Sequence, residues 1–78
     1  MVVMTKNSAY VIDEAAKKIS GGSIAQMFGV NEVSYSFIGT AMDNGAVYPG
    51  FFVGGKLFAT MTEGGRILRT SKIVGVRQ

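Results

Sequence analysis

The chain has 78 residues, 47% of them hydrophobic and only 17% charged, with a formal net charge of +3. That length allows a single domain, 1–78, which buries about 60–65% of the surface its unfolded form exposes, and that composition excludes a highly charged, unfolded chain. Cysteine and histidine are both absent, which removes disulfides, Cys/His metal sites, the commonest general base and the best side-chain nucleophile.

In chain order, "VVMT" (2–5) and "AYVI" (9–12) flank the turn-prone "KNS" and predict a first hairpin. After "DEAA", the short "KKIS" returns as another strand; residues 13–18 could instead form a turn or two of helix, because Glu, Ala and Lys favour it, but strand is preferred. Ser23 is positioned to cap a short helix over Ile24 to Phe28, with Gly29 where a left-handed C-terminal residue belongs. Met27 and Phe28 then become core or interface anchors. "VSYSFIGT" (33–40) alternates as a half-buried strand, with Val33, Tyr35 and Phe37 on one face and Ser34, Ser36 and Thr40 on the other.

"MDNGAVYPG" carries two successive turn signals, Asn-Gly and Pro-Gly. The strand after it places Leu57, Ala59 and Met61 on one face and Phe58 on the other, beside Lys56 and Thr60. An aromatic there is a scattered surface hydrophobe or a contact for another subunit. In the closing run neither alternation is uniformly apolar: one holds Leu68, Thr70, Lys72, Val74 and Val76, the other Ile67, Arg69, Ser71, Ile73 and Gly75. Both faces are then partly covered, or a β-bulge near Thr70 and Ser71 breaks the pattern by setting two residues against one partner.

These elements predict an all-β domain: five or six short antiparallel strands forming a small, SH3-like barrel with at most one short helix near 23–28. A core this small leaves self-association as the main remaining source of stability, so a homo-oligomer is expected. No apolar stretch approaches the roughly 20 residues that span a bilayer, and "MVVMTK" is too short for a signal-peptide core. A soluble, cytoplasmic protein with no membrane contact follows as the expectation.

Chemistry is limited. The five carboxylates are dispersed, and only Asp13 and Glu14 adjoin, so a paired-carboxylate hydrolase or an acidic metal centre is not expected. The protein is read as non-enzymatic, without catalytic residues, cofactor or metal. "GFFVGGK" (50–56) matches the first seven positions of a phosphate-binding loop, but Leu57 stands where Ser or Thr should follow and a strand follows in place of a helix. Glycines at a hairpin turn explain the match.

Arg66, Arg69, Lys72 and Arg77 crowd the last thirteen residues with no acid among them. Such a run either attracts an anion or only keeps a strand soluble. As a ligand site, Arg66, Arg69 and Lys72 would neutralise phosphate, Thr70 and Ser71 would donate hydrogen bonds, and Tyr10 or Tyr35 would stack on a base. As a structural segment, Thr70 and Ser71 would instead satisfy backbone at the bulge. Met27, Phe28, Phe51, Phe52 and Phe58 are the candidate anchors for a protein partner. Nucleic-acid binding is a third reading, since Tyr10, Tyr35, Tyr48, Phe51, Phe52 and Phe58 with nearby cations could form a stacking sheet, although most of these rings could equally fill the core.

"TKNSAYVID" with "KKIS", and "IGTAMDNGAVYPGFFVGGKLFATMTEGGRILRTSKIVGV", resemble small uncharacterised all-β proteins of phages and prophages. The matching positions are Thr5, Asn7, Ser8 and Tyr10, then Val53, Lys56 and Leu57, then Thr70, Ser71, Ile73 and Val76; the turn at Val53-Gly54-Gly55-Lys56 has one glycine more than that pattern. The resemblance implies a phage accessory protein in the host cytoplasm. Such a protein would counter host defence by sequestering an anionic nucleotide signal as a homo-oligomer, or by occupying a host or phage protein.

Overall fold

The "KNS" turn joins the two strands that flank it. In the computed structural model, which describes residues 1–78, β1 (Val2–Thr5) pairs antiparallel with β2 (Ala9–Asp13). Thr5 closes the turn by donating its hydroxyl to the Ser8 carbonyl at 3.2 Å. The chain turns again over residues 14–17, where Asp13 Oδ1 accepts the Ala16 amide at 3.0 Å. It returns as β3 (Lys18–Gly21) against β2, so "KKIS" supplies the expected strand, while residues 14–17 are a turn and neither helix nor strand. Helix α1 (Ile24–Phe28) leads into the long β4 (Glu32–Ala41), a three-residue β5 (Val47–Pro49), then β6 (Lys56–Met61) and the eleven-residue β7 (Ile67–Arg77).

Pairing runs β3-β2-β1-β7-β6-β4-β5, and β3 also pairs with β4. Six strands therefore close into a ring, and β5 lies outside it against β4. The architecture is the small antiparallel all-β barrel expected, with the one short helix; the extra strand comes from the "VYP" segment, whose proline and flanking glycines conceal it. Strands β4 and β7 each serve two neighbours along their length. Residues 32–34 of β4 pair with β3 and 35–41 with β6, while residues 67–72 of β7 pair with β6 and 73–77 with β1. No helix is long and apolar enough to cross a membrane.

Inside the ring lie Val3, Ile12, Ile19, Ile24, Leu57, Leu68 and Ile73, all essentially without solvent contact, packed with Tyr10, Tyr35, Ala59 and Met61. β-branched residues dominate because they fit the pleated inner surface with little loss of side-chain freedom. On β6 the inner set is Leu57, Ala59 and Met61, with Lys56, Phe58 and Thr60 half-buried on the outside.

Bulges explain the strands whose alternation fails. Between Phe58 opposite Arg69 and Lys56 opposite Lys72, the register shifts by one residue, so Thr70 and Ser71 together face Leu57. Leu68 and Ile73 can then both point inward despite their opposite parity. A second shift, between Gly75 and Ile73 against β1, leaves Val74 outside and brings Val76 back toward the core. A third, at Ser36 on β4, corrects the faces predicted there: Tyr35 and Thr40 are both inside, and Phe37 is outside near Phe58, with ring centroids 6.3 Å apart.

Helix α1 ends as expected, with Gly29 at φ +74° and its amide donating to the Ala25 carbonyl. Its start does not. Ser23 makes no side-chain cap bond; its hydroxyl pairs with Tyr10 Oη at 2.9 Å, tying the helix to the core tyrosine.

Candidate functional site

Strands β4, β6 and β7 present one outer face, and their registers define its rows. Ala41, Lys56 and Lys72 form one row and Gly39, Phe58 and Arg69 the next. Lys56 stands directly opposite Lys72, a like-charge cross-strand pair that weakens a sheet. Arg69 lies over the Phe58 ring, 5.6 Å from its centroid, a cation–π contact. The Lys6 amide donates to the Lys72 carbonyl at 2.9 Å, which sets a fourth cationic residue beside the row. Thus four of the eight cationic residues of the chain gather here.

One acid faces them. The turn after β4 is held by Met42 N–H donating to the Ala46 carbonyl and by Asn44 Oδ1 accepting the Ala46 amide. It carries Asp43 to 3.7 Å from Lys72 Nζ. Both side chains are largely exposed, so this ion pair holds little energy and leaves most of the positive field in place. Asp43, Met42, Gly45, Lys56 and Arg69 line a cleft of about 230 Å³.

Of the remaining candidate ligand residues, Tyr10, Tyr35 and Arg66 are not brought to this face, while Thr70 and Ser71 form the half-buried bulge between its two rows. Tyr10 and Tyr35 are 3% and 5% exposed, so neither ring is available to stack on a base. Tyr10 serves the helix contact. Burial pushes the Tyr35 phenol above its ordinary value near 10, and the Glu14 and Asp13 carboxylates push it the same way. Because the folded state disfavours the phenolate, this contribution is intact below pH about 10 and is lost as pH rises through the raised value. A urea-denaturation series should therefore show extra loss of stability in strongly alkaline solution, smaller in Tyr35→Phe; equal alkaline slopes in the two proteins would refute the assignment.

Thr70 Oγ1 accepts the Leu57 amide at 3.2 Å and donates to the Ser71 carbonyl at 2.7 Å. The hydroxyl is thus engaged by backbone, as the bulge reading requires. Arg66 sits apart from Arg69 and Lys72. Its Nη2 donates to the Met27 carbonyl at 3.1 Å, and its guanidinium lies 4.3 Å from the Phe28 ring centroid. There it borders a larger, open cleft of about 680 Å³ floored by Phe28, Val33 and Met61 and edged by Glu32 and Glu63.

Among the anchors, Phe28 and Phe51 are half-buried against the core, Phe58 is half-buried under Arg69, and only Met27 and Phe52 are exposed. The most exposed apolar cluster lies in the excursion around β5, where Val47, Tyr48, Phe52 and Val53 all face solvent and Tyr48 meets Phe52 edge-on at 6.5 Å. Thr40 pins this excursion from inside, donating to the Gly50 carbonyl at 2.8 Å and accepting the Phe52 amide at 3.1 Å.

Sequence reasoning set Lys56 on the outer face beside Phe58 but missed it as a ligand residue, and it missed Phe37 as part of that face. For Lys56 a signal existed, since it shares the alternation of Phe58. For Phe37 none did, because the Ser36 bulge reverses its side. Compared with protein-family models, curated proteins and solved structures, the chain matches none.

Proposed function

We propose that this protein is a non-enzymatic binding protein whose outer β4–β6–β7 face takes a nucleotide phosphate. The observation that carries this reading is the Lys56–Lys72 pair joined by Arg69 over Phe58. A sheet shaped for stability alone would avoid facing like charges, and a phosphate bridging them would turn that repulsion into attraction. Arg69 supplies the forked donor suited to two phosphate oxygens, and the 230 Å³ cleft has room for a phosphate group. For a chain resembling small phage proteins, such a face would withdraw a nucleotide signal from its host.

Isothermal calorimetry against a panel running from inorganic phosphate through cyclic nucleotides to a short oligonucleotide tests this. Saturable heat is expected from at least one nucleotide, weakened about tenfold or more in Arg69→Ala and in Lys72→Glu. A silent panel overturns the reading. It would leave the alternative of a protein-binding module, favoured by the exposed Val47, Tyr48, Phe52 and Val53 cluster, which is also where self-association of the chain would bury apolar surface.

A further inference from the structure

We infer that the ligand of this face is a single-stranded nucleic acid, with a free nucleotide only a partial occupant; this rests on the phosphate-binding reading above. Three observations lead there. The first is size. Sites that enclose a small ligand run to roughly 300–1,000 Å³, whereas the cleft between Asp43, Lys56 and Arg69 holds about 230 Å³ and opens onto the sheet. It accommodates one phosphate and leaves sugar and base outside.

The second is the extent of the charge. Lys6, Lys72 and Lys56 follow one another across three neighbouring chain segments, which at about 4.8 Å per strand is on the order of 10 Å. Arg69 lies in the next row, about 6.6 Å along the strand. A single phosphate can meet only part of such a line. A polyanion meets all of it and releases its condensed counterions in doing so.

The third is the pair of rings. Phe37 and Phe58 stand half-buried on the outer surface, 6.3 Å apart and tilted by 60°, and Arg69 lies over Phe58, presenting its own flat guanidinium. Ring and guanidinium surfaces hold bases by their faces, and only an unpaired strand offers those faces. In a duplex they are already stacked within the helix. Cations at one end of the face and aromatics toward the other match a backbone that crosses the sheet with its bases turned inward.

Fluorescence anisotropy of the full chain with a labelled short oligothymidylate, the same strand in duplex with its complement, and ATP as competitor decides the matter. The single strand should bind at least about tenfold more tightly than either ATP or the duplex. The slope of log K against log salt should lie at about −2 to −3, as expected for three or four phosphates at roughly −0.7 each. Phe37→Leu, which keeps the apolar bulk and removes the ring, should weaken the strand about tenfold and leave ATP unaffected; circular dichroism establishes that the variant folds, and Lys56→Glu, at the half-buried outer position opposite Lys72, gives an independent loss together with a shallower salt slope. If ATP equals the strand, the single-strand inference falls while phosphate binding stands. Duplex binding as tight as single-strand binding also overturns it. If nothing binds, both readings fall together.

Discussion

Replacing Gly39 by alanine is expected to destabilise the protein by about 2–3 kcal/mol, at the upper end of what overpacking costs. For a chain of this size that corresponds to a fall in Tm of roughly 10–20 °C. Backbone torsion is not the reason, since Gly39 is not among the glycines with positive φ. A Cβ built at this position runs into the Tyr48 carbonyl of β5 and stands 3.0 Å from the Phe37 ring. The ring can shift, but the carbonyl belongs to the strand that pairs Pro49 with Gly39 and cannot retreat without breaking that pairing. The variant should therefore also lose β5 and free the Val47–Val53 excursion, visible as new protease cleavage there. An alanine variant that melts at the wild-type temperature would show that β5 does not lie against Gly39.

Thr70→Val should cost about 2 kcal/mol, because it removes the acceptor of the Leu57 amide, which the bulge leaves without a carbonyl opposite it. A buried donor left unsatisfied costs about 1–3 kcal/mol, and valine matches threonine in shape and branching, so packing contributes little to the difference. Thr70→Ser, which retains the hydroxyl, should recover most of the loss. Nucleotide affinity, measured well below the melting temperature, should be unchanged in both variants. A valine variant of wild-type stability but weakened binding would reverse the assignment and make the hydroxyl a ligand contact.

The hairpins and the helix end were legible because each rests on a local signal. "KNS" between two alternating runs, and Gly29 after a short apolar helix, fix backbone geometry within a few residues. The bulge at Thr70 and Ser71 was also legible, as a failure of either parity on β7. The Ser36 bulge was not. "VSYSFIGT" alternates well enough to hide a register shift, and the shift becomes visible only when β6 lies beside it with Tyr35 facing Met61 and Phe37 facing Thr60. Its consequence reached the site, since it exchanges Phe37 for Thr40 between the two faces. The cationic residues were legible as a group in sequence, but their division was not: Arg66 is drawn to Phe28 and the helix carbonyl, three residues from Arg69, by a long-range contact that no spacing rule encodes. By sequence Tyr10 and Tyr35 suit either core or ligand, and their burial assigns them to the core.

Ring closure has a kinetic consequence. The pairing of Val2 with Arg77 closes a loop of nearly the whole chain, and the entropy of that closure is lost before the β1–β7 contacts repay it. Because β4 and β7 each belong to both sides of the ring, neither side can persist while the other opens. Folding is then a single slow event, on the order of milliseconds to seconds for so non-local a topology, and a nascent chain gains its native structure only once residues 67–77 have been made.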